Sequence, residues 1–137
     1  MSSTQPLTVF QVAGRAMSAQ LVRMNTTASN LANVGGTASS AEAAYKTMKP
    51  VFRTTYDRTT GLATVDVEKV VAAGETPAKR YDPANPQADR DGNVYAAAVD
   101  ETRELVDMME TARSYQNDVE VMNTAKQLTI DTLKLGR

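Results

Sequence analysis

The chain of 137 residues has no cysteine, no histidine and no tryptophan. Without cysteine there is no disulfide and no thiolate nucleophile or thiolate metal ligand. Without histidine the commonest metal ligand and the commonest acid–base catalyst are both missing. Aromatics are only 5% of the residues, so a core has to rest on Val, Leu, Met and Ala. Neither sign of charge dominates, since 15 basic and 16 acidic residues leave a formal net charge of −1. That balance gives no electrostatic reason to expect nucleic acid or an anionic membrane surface as a partner. No apolar run approaches the roughly 20 residues that span a bilayer, so the chain reads as not membrane-spanning. Residues 1–11 hold no basic residue and no apolar stretch of signal-peptide length, so export would not use a cleaved secretory signal.

What the chain does have is a pair of heptad-spaced apolar stripes at its two ends. Phe10, Met17, Met24 and Leu31 recur every seven residues, and Gly14, Leu21 and Ala28 follow the first three of them by four. Near the other end Leu105, Ala112 and Val119 alternate with Met108, Tyr115 and Met122. A stripe this narrow is one seam on a helix and needs a partner helix to bury it. A hairpin closed within one chain would do so, and so would packing between chains. The length of the last helix favours packing between chains, which makes these residues a candidate assembly seam. Past Met122 the strict register lapses, and Val121, Ala125, Leu128 and Leu133 take over. Residues 1–35 carry only Arg15 and Arg23, whereas residues 99–137 carry eight acidic and five basic residues. The two helices would attract weakly, because exposed ion pairs contribute only about 0–1 kcal/mol each.

The first helix is expected over residues 9–33. Thr8 and Gln11 have capping-box spacing, and Leu7 and Val12 stand at the hydrophobic-staple positions. Gly35 and Gly36 are expected to stop it, and residues 1–6 read as a loose tail. Residues 36–44 are small and polar and read as a loop. Residues 45–56 and 62–71 read as strands joined by a Thr60-Gly61 turn. Alternation of Val65 and Val67 with Asp66 and Glu68 predicts one wet face, and Val70-Val71 breaks that alternation, predicting a bulge there. Residues 77–91, with three prolines and Asp91-Gly92, read as an extended, turn-rich connection, followed by a short strand at Val94-Tyr95. Asp100 is a candidate N-cap for a helix that meets no Gly or Pro from Glu101 to Leu135. At 1.5 Å per residue that helix is roughly 50 Å long and should project from a small domain.

Two sets of polar residues could carry more than structure. Met24-Asn25-Thr26 recurs as Met122-Asn123-Thr124, beside Asn30 and Asn33. A buried Asn can fix helix register at a cost in stability. The plainer expectation is that these Asn side chains face solvent, with Asn33 helping the helix end. Asp82, Asp89 and Asp91 are the last catalytic candidates. Their spacing lacks the Glu of a calcium-binding loop, so turn formation through Asx hydrogen bonds is expected instead. No phosphate loop, nucleophile elbow or basic cluster is present, so no active site, cofactor, metal or small-molecule substrate is indicated.

Three segments then resemble a known family. Residues 23–33, which include Asn25, Asn30, Leu31 and Asn33, resemble the N-terminal signature of flagellar rod and hook axial proteins. Tyr81-Asp82-Pro83, Asn85-Pro86, Ala88-Asp89 and Asp91-Gly92-Asn93-Val94 resemble the loop before their C-terminal helix. Residues 113–127, with Ser114, Tyr115, Gln116, Asn123 and Thr124, resemble their C-terminal signature. Ala97-Ala98 stand where the family has Pro-Asn, and Val34-Gly35-Gly36 is a loose linker.

The resemblance implies an α+β protein and not an enzyme. Its long terminal helices would form a coiled-coil-like bundle lining a tube, with a small β-rich middle domain outside. The implied division is 1–35 (N-terminal helix), 36–98 (middle domain) and 99–137 (C-terminal helix). The implied role is a structural subunit of the proximal rod of the bacterial flagellar basal body, polymerising helically into a shaft that transmits torque. Such subunits leave the cell unfolded through the flagellum's own export apparatus, without a cleaved signal, and occupy the rod in the periplasmic space. Partners would be further copies, other rod proteins and the protein joining the rod to the membrane ring. The alternative from a different class is a cytoplasmic helical adaptor or secretion chaperone, which would use the same stripes to bind client helices. A small enzyme with a carboxylate site in residues 82–91 is the remaining reading.

Overall fold

The computed structural model describes residues 8–136, and places two helices and two small antiparallel sheets in an α+β arrangement. The expected tail and the Leu7 half of the staple lie outside the described residues. Helix α1 spans Val9–Ala32 and starts at the expected cap. The Thr8 hydroxyl accepts from the Gln11 N–H, and the Gln11 side chain accepts from the Thr8 N–H, so two orphan donors are satisfied. Asn33 closes the helix, its side-chain amide donating to the Ser29 carbonyl, and Gly35 then turns the chain with φ +77°.

Strand β1 (Thr37–Ala38) falls inside the segment expected to be loop. Two residues are too short to show alternation, and pairing with Tyr95 and Ala96 creates the strand. Strands β2 (Met48–Asp57) and β3 (Leu62–Ala72) form the expected hairpin, turning at Gly61 with φ +69°. β2 begins at Met48, three residues later than expected. The bulge lies at Glu68, because Val51 pairs with Lys69 and Phe52 with Val67. It therefore precedes Val70-Val71 by two residues.

Strand β4 (Lys79–Tyr81) lies within the Pro-rich connection expected to be irregular, and β5 (Asn93–Ala96) is the expected short strand. β5 is the middle strand of the order β1-β5-β4, and its Val94 is fully buried. Helix α2 spans Glu101–Leu135, with the Asp100 carboxylate accepting from the Arg103 N–H. The entry to α2 needs no Pro-Asn pair. Ala97 and Ala98 donate their N–H groups to Gly36 and Tyr45, and the Ala98 carbonyl accepts from the backbone and hydroxyl of Thr47.

α1 is the hub, packed against α2 along one side and the β2–β3 hairpin along another. The core differs from the expected Val, Leu and Met interior. Among the described residues the buried apolar ones are Ala13, Ala19, Ala44, Pro77 and Val94, and beside them lie buried Thr27, Asn30, Thr47, Thr64, Glu104 and Thr111. Small side chains let the elements approach closely, and polar ones have to be satisfied by hydrogen bonds.

The hairpin is also turned opposite to the expected sense. Thr64 is 1% exposed, and Asp66 bridges Arg15 of α1 at 3.0 Å. The side predicted to be wet is therefore the side that meets α1.

Residues 82–93 are held by their own backbone. The Asp82 N–H donates to the Gly92 carbonyl, and Asp89 accepts from the N–H groups of Asp91 and Asn93. These bonds, that from Asn93 first, hold the Asp89 carboxyl below its usual range, so Asp89 is a turn former, whereas the Asp82 carboxylate meets Arg80 at 3.4 Å. Gly92 sits at φ +79°, and a Cβ there would lie 2.9 Å from the Tyr81 ring and 3.1 Å from Pro83. Gly92→Ala should therefore lower stability by about 1–3 kcal/mol, read from the urea midpoint.

Candidate assembly interface

The α1–α2 pair is antiparallel. A Cβ on Gly14 would touch Met122, Arg23 reaches Asp107 and Glu110, and Asn30 reaches Glu104. Partners thus recede along α2 as α1 advances. The Arg23 contacts, at 3.7 and 3.6 Å, are the expected attraction between a basic and an acidic helix.

Asn30 is the centre of the site, which corrects the expectation that it faces solvent. It is 1% exposed, and its side chain makes four hydrogen bonds. Nδ2 donates to the Met48 carbonyl at 2.9 Å and to Glu104 Oε2 at 2.8 Å. Oδ1 accepts from the Met48 N–H at 2.9 Å and from Tyr45 Oη at 2.9 Å. A backbone N–H can only donate, which fixes the orientation of the amide. Four bonds are the full capacity of an Asn side chain. One residue of α1 thereby holds the approach to β2, its first residue and the first turn of α2.

The anion at the far end is shared. Glu104 is 1% exposed and lies 3.3 Å from Lys49 Nζ, which bonds Asp107 at 2.8 Å. Burial opposes the Lys49 charge. Hydrogen bonding to Asp107 and the negative charges of Glu104 and Asp107 outweigh it, and hold the ammonium above its usual range.

Farther along the pair the polar groups are not satisfied. Gln20 lies between Gly14 and Arg23, and Asp118 between Glu110 and Met122. Among the described residues, the buried Gln20 Oε1 and Asp118 Oδ2 lack a hydrogen-bond partner. Burial pushes the Asp118 carboxyl up.

The stripe residues are divided by the fold. On α2 the deepest row is Glu104 and Thr111, with Asp118 seven residues on, one position before Leu105, Ala112 and Val119. Met108, Ala112, Tyr115, Val119 and Met122 are half-buried, and Leu105 is exposed. On α1, Met17, Met24 and Leu31 are half-buried, while Phe10, Leu21 and Ala28 are exposed. Of the motif residues, Asn25, Asn123, Gln116, Thr124, Tyr81 and Pro83 are exposed, and Ser114, Asn33 and Asp82 are half-buried. Heptad counting missed Glu104, because a carboxylate reads as surface. Its one signal was its place in the first turn after the Asp100 cap.

Two flagellar family profiles match this chain. One described as "Flagella basal body rod protein" covers residues 10–38, and one described as "Flagellar basal body rod FlgEFG protein C-terminal" covers residues 90–135. The flagellar basal-body rod protein FlgC of Salmonella typhimurium is 38% identical over 133 residues, 96% of this chain and 98% of that relative. FlgC of Escherichia coli O157:H7 is 37% identical over 131 residues, again 96% and 98%. FlgC of Agrobacterium fabrum is 30% identical over 131 residues, 93% and 94%.

The chain belongs to the flagellar basal-body rod protein family FlgC. It is a structural subunit of that rod and not an enzyme, which retires the carboxylate-site reading. Among the described residues no helix is long and apolar enough to cross a membrane. The N-terminal profile contains Asn30 and the C-terminal one contains Glu104, so the two halves of the buried clamp lie in the two matched segments.

Asn30→Ala should cost about 3 kcal/mol or more, since it strands Glu104 and the Met48 backbone away from water. Urea denaturation would read this, and a loss below about 1 kcal/mol would mean that water replaces the amide. The Lys49 charge is favoured in the folded state, so its contribution is full below the unfolded lysine value of about 10.4. It is lost as pH rises through the higher folded value. Thermal melting of the wild type should therefore fall on the alkaline side, and Lys49→Met should flatten that limb.

Proposed function

We propose that the subunit polymerises helically in the proximal part of the rod through its terminal helices, which line the central tube and transmit torque. The 36–98 segment stands outside. The supporting observation is the mismatch in helix length. α1 has 24 residues and α2 has 35, so α2 outruns its partner by about 16 Å at 1.5 Å per residue. Leu128, Leu133 and Leu135 are exposed there, and Phe10, Leu21, Leu105 and Val121 are exposed along the pair. Each Leu or Phe buried by a neighbour would contribute roughly 1.5–3 kcal/mol. Further copies, other rod proteins and the protein at the rod–membrane-ring junction would supply those neighbours.

The interior of the helix pair supports folding on assembly. Stability is concentrated at Asn30 and Glu104, and the distal part holds two unsatisfied oxygens and few large apolar contacts. A long helix with a narrow stripe is marginal alone in water. Easily opened arms suit passage through the flagellar export apparatus, without a cleaved signal, to the periplasmic space. They also discourage polymerisation before delivery.

Leu21 is 44% exposed in the single chain, so Leu21→Asp should leave the subunit folded yet abolish its incorporation into basal bodies. In the free wild-type subunit, amides beyond residue 123 should exchange fast, and those of the β2–β3 hairpin slowly. Normal incorporation of Leu21→Asp, counted in purified basal bodies, would overturn the seam.

A further inference from the structure

The β2–β3 hairpin carries its apolar face away from the molecule. Cross-strand partners share a face of a sheet. Thr64 and Asp66 face α1, so their partners Thr55 and Arg53 turn the same way. The opposite face therefore holds the pairs Phe52 with Val67, Thr54 with Val65, Tyr56 with Ala63 and, past the bulge, Pro50 with Val70. It contains no charged residue. Phe52 is 40% exposed, Tyr56 62% and Val70 41%, and among the described elements the hairpin packs against α1, with Lys49 at its base reaching α2 from the other face.

We propose that this outer face receives the distal end of α2, residues 121–135, from a second copy of the chain. The inference rests on the helical-polymer reading above and adds which surface meets which. Closure, with too little area to stand alone, argues against the symmetric alternative. A ten-residue strand pair presents a face of about 33 by 10 Å, roughly 300 Å², whereas a stable interface takes about 800 Å² from each partner. Two hairpins face to face would make a closed dimer too small to persist. A head-to-tail contact between two different surfaces leaves each copy with both free ends, and so propagates.

Shape selects the helix. Val121, Leu128 and Leu135 are spaced by seven, with Ala125 and Thr132 between them, giving an exposed stripe about 22 Å long on a helix about 10 Å wide. That matches the ribbon. Of the other exposed apolar residues on α2, Leu105, Val106 and Met109 span little more than one turn, and Ile130 and Leu133 point to other sides of the distal helix. Val9 of the same chain lines one groove with Val121, Ala125 and Leu128, and past Leu128 the helix is exposed throughout, free to reach a neighbour. Neither patch alone reaches the size of a stable interface, which keeps single subunits apart until the seam adds its area.

The absence of cysteine makes disulfide trapping unambiguous. Full-length Phe52→Cys and Leu128→Cys variants, each carrying a different affinity tag, are to be co-expressed in cells deleted for the wild-type subunit. Basal bodies are then isolated and oxidised. The expected result is a disulfide joining the two tags, at least tenfold above either same-tag product. Arg53→Cys, on the opposite face of β2, should give no such product with Leu128→Cys. A dominant product of two Phe52→Cys chains would overturn the proposal in favour of the symmetric contact. A disulfide-free basal body containing both variants would overturn it while leaving the rod-subunit reading intact. Absence of a tagged chain with the native sequence, expressed in the same deleted cells, from isolated basal bodies would sink both.

Discussion

A single amide side chain ties the two ends of this chain to its middle. Asn30 spends two hydrogen bonds on the backbone of Met48, one on Tyr45 and one on Glu104. The start of β2 and the first turn of α2 therefore take their positions from the same point on α1. Directional bonds specify geometry where a small, loosely apolar interior would not. Ala13, Ala19 and Thr111 fill space but would tolerate sliding. The clamp does not, because any shift leaves a buried Glu104 carboxylate without its donor.

The consequence is an uneven molecule. The clamp end holds Asn30, Glu104, Lys49 and Asp107 in one connected network, with Arg23 beside it. The other end of the helix pair has Gly14 against Met122 and two unsatisfied oxygens. Beyond that, α2 continues without cover. On the proposed function, such a gradient would separate two requirements of a subunit delivered singly and assembled in bulk. One end stores a defined shape, and the other offers apolar surface that only neighbours can bury.

The hairpin follows the same logic on a different element. A sheet usually buries its apolar face and wets the other. Here Asp66 and Thr64 face α1, while Phe52 and Tyr56 face out. Satisfying the polar side against a helix leaves the apolar side as a contact surface. The subunit thus has apolar surface on more than one side, the arrangement a polymer needs and a free protein avoids.

Periodicity and caps were enough to read both long helices, the Thr8–Gln11 box, the Asp100 cap and the β2–β3 hairpin, because each is a local signal within a few residues. The motifs around Asn30, Tyr81 and Tyr115 were enough for the family. Strands β1 and β4 were not legible, being two and three residues long and defined only by their pairing with β5. Nor was the role of Asn30, whose partners lie 15 to 74 residues away. Helical spacing placed Met108, Tyr115 and Met122 on the inner side of α2 but not the Glu104 and Thr111 row beside them, since a heptad count favours apolar letters. Alternation in β3 correctly separated its two faces, yet which one meets α1 depended on Arg15, which reaches Asp66 only once the chain has folded back. The sequence by itself determined where elements begin, end and divide into faces, because those are properties of near neighbours. Tertiary structure decided which faces meet, because that depends on polar groups far apart in the chain finding their one satisfied arrangement.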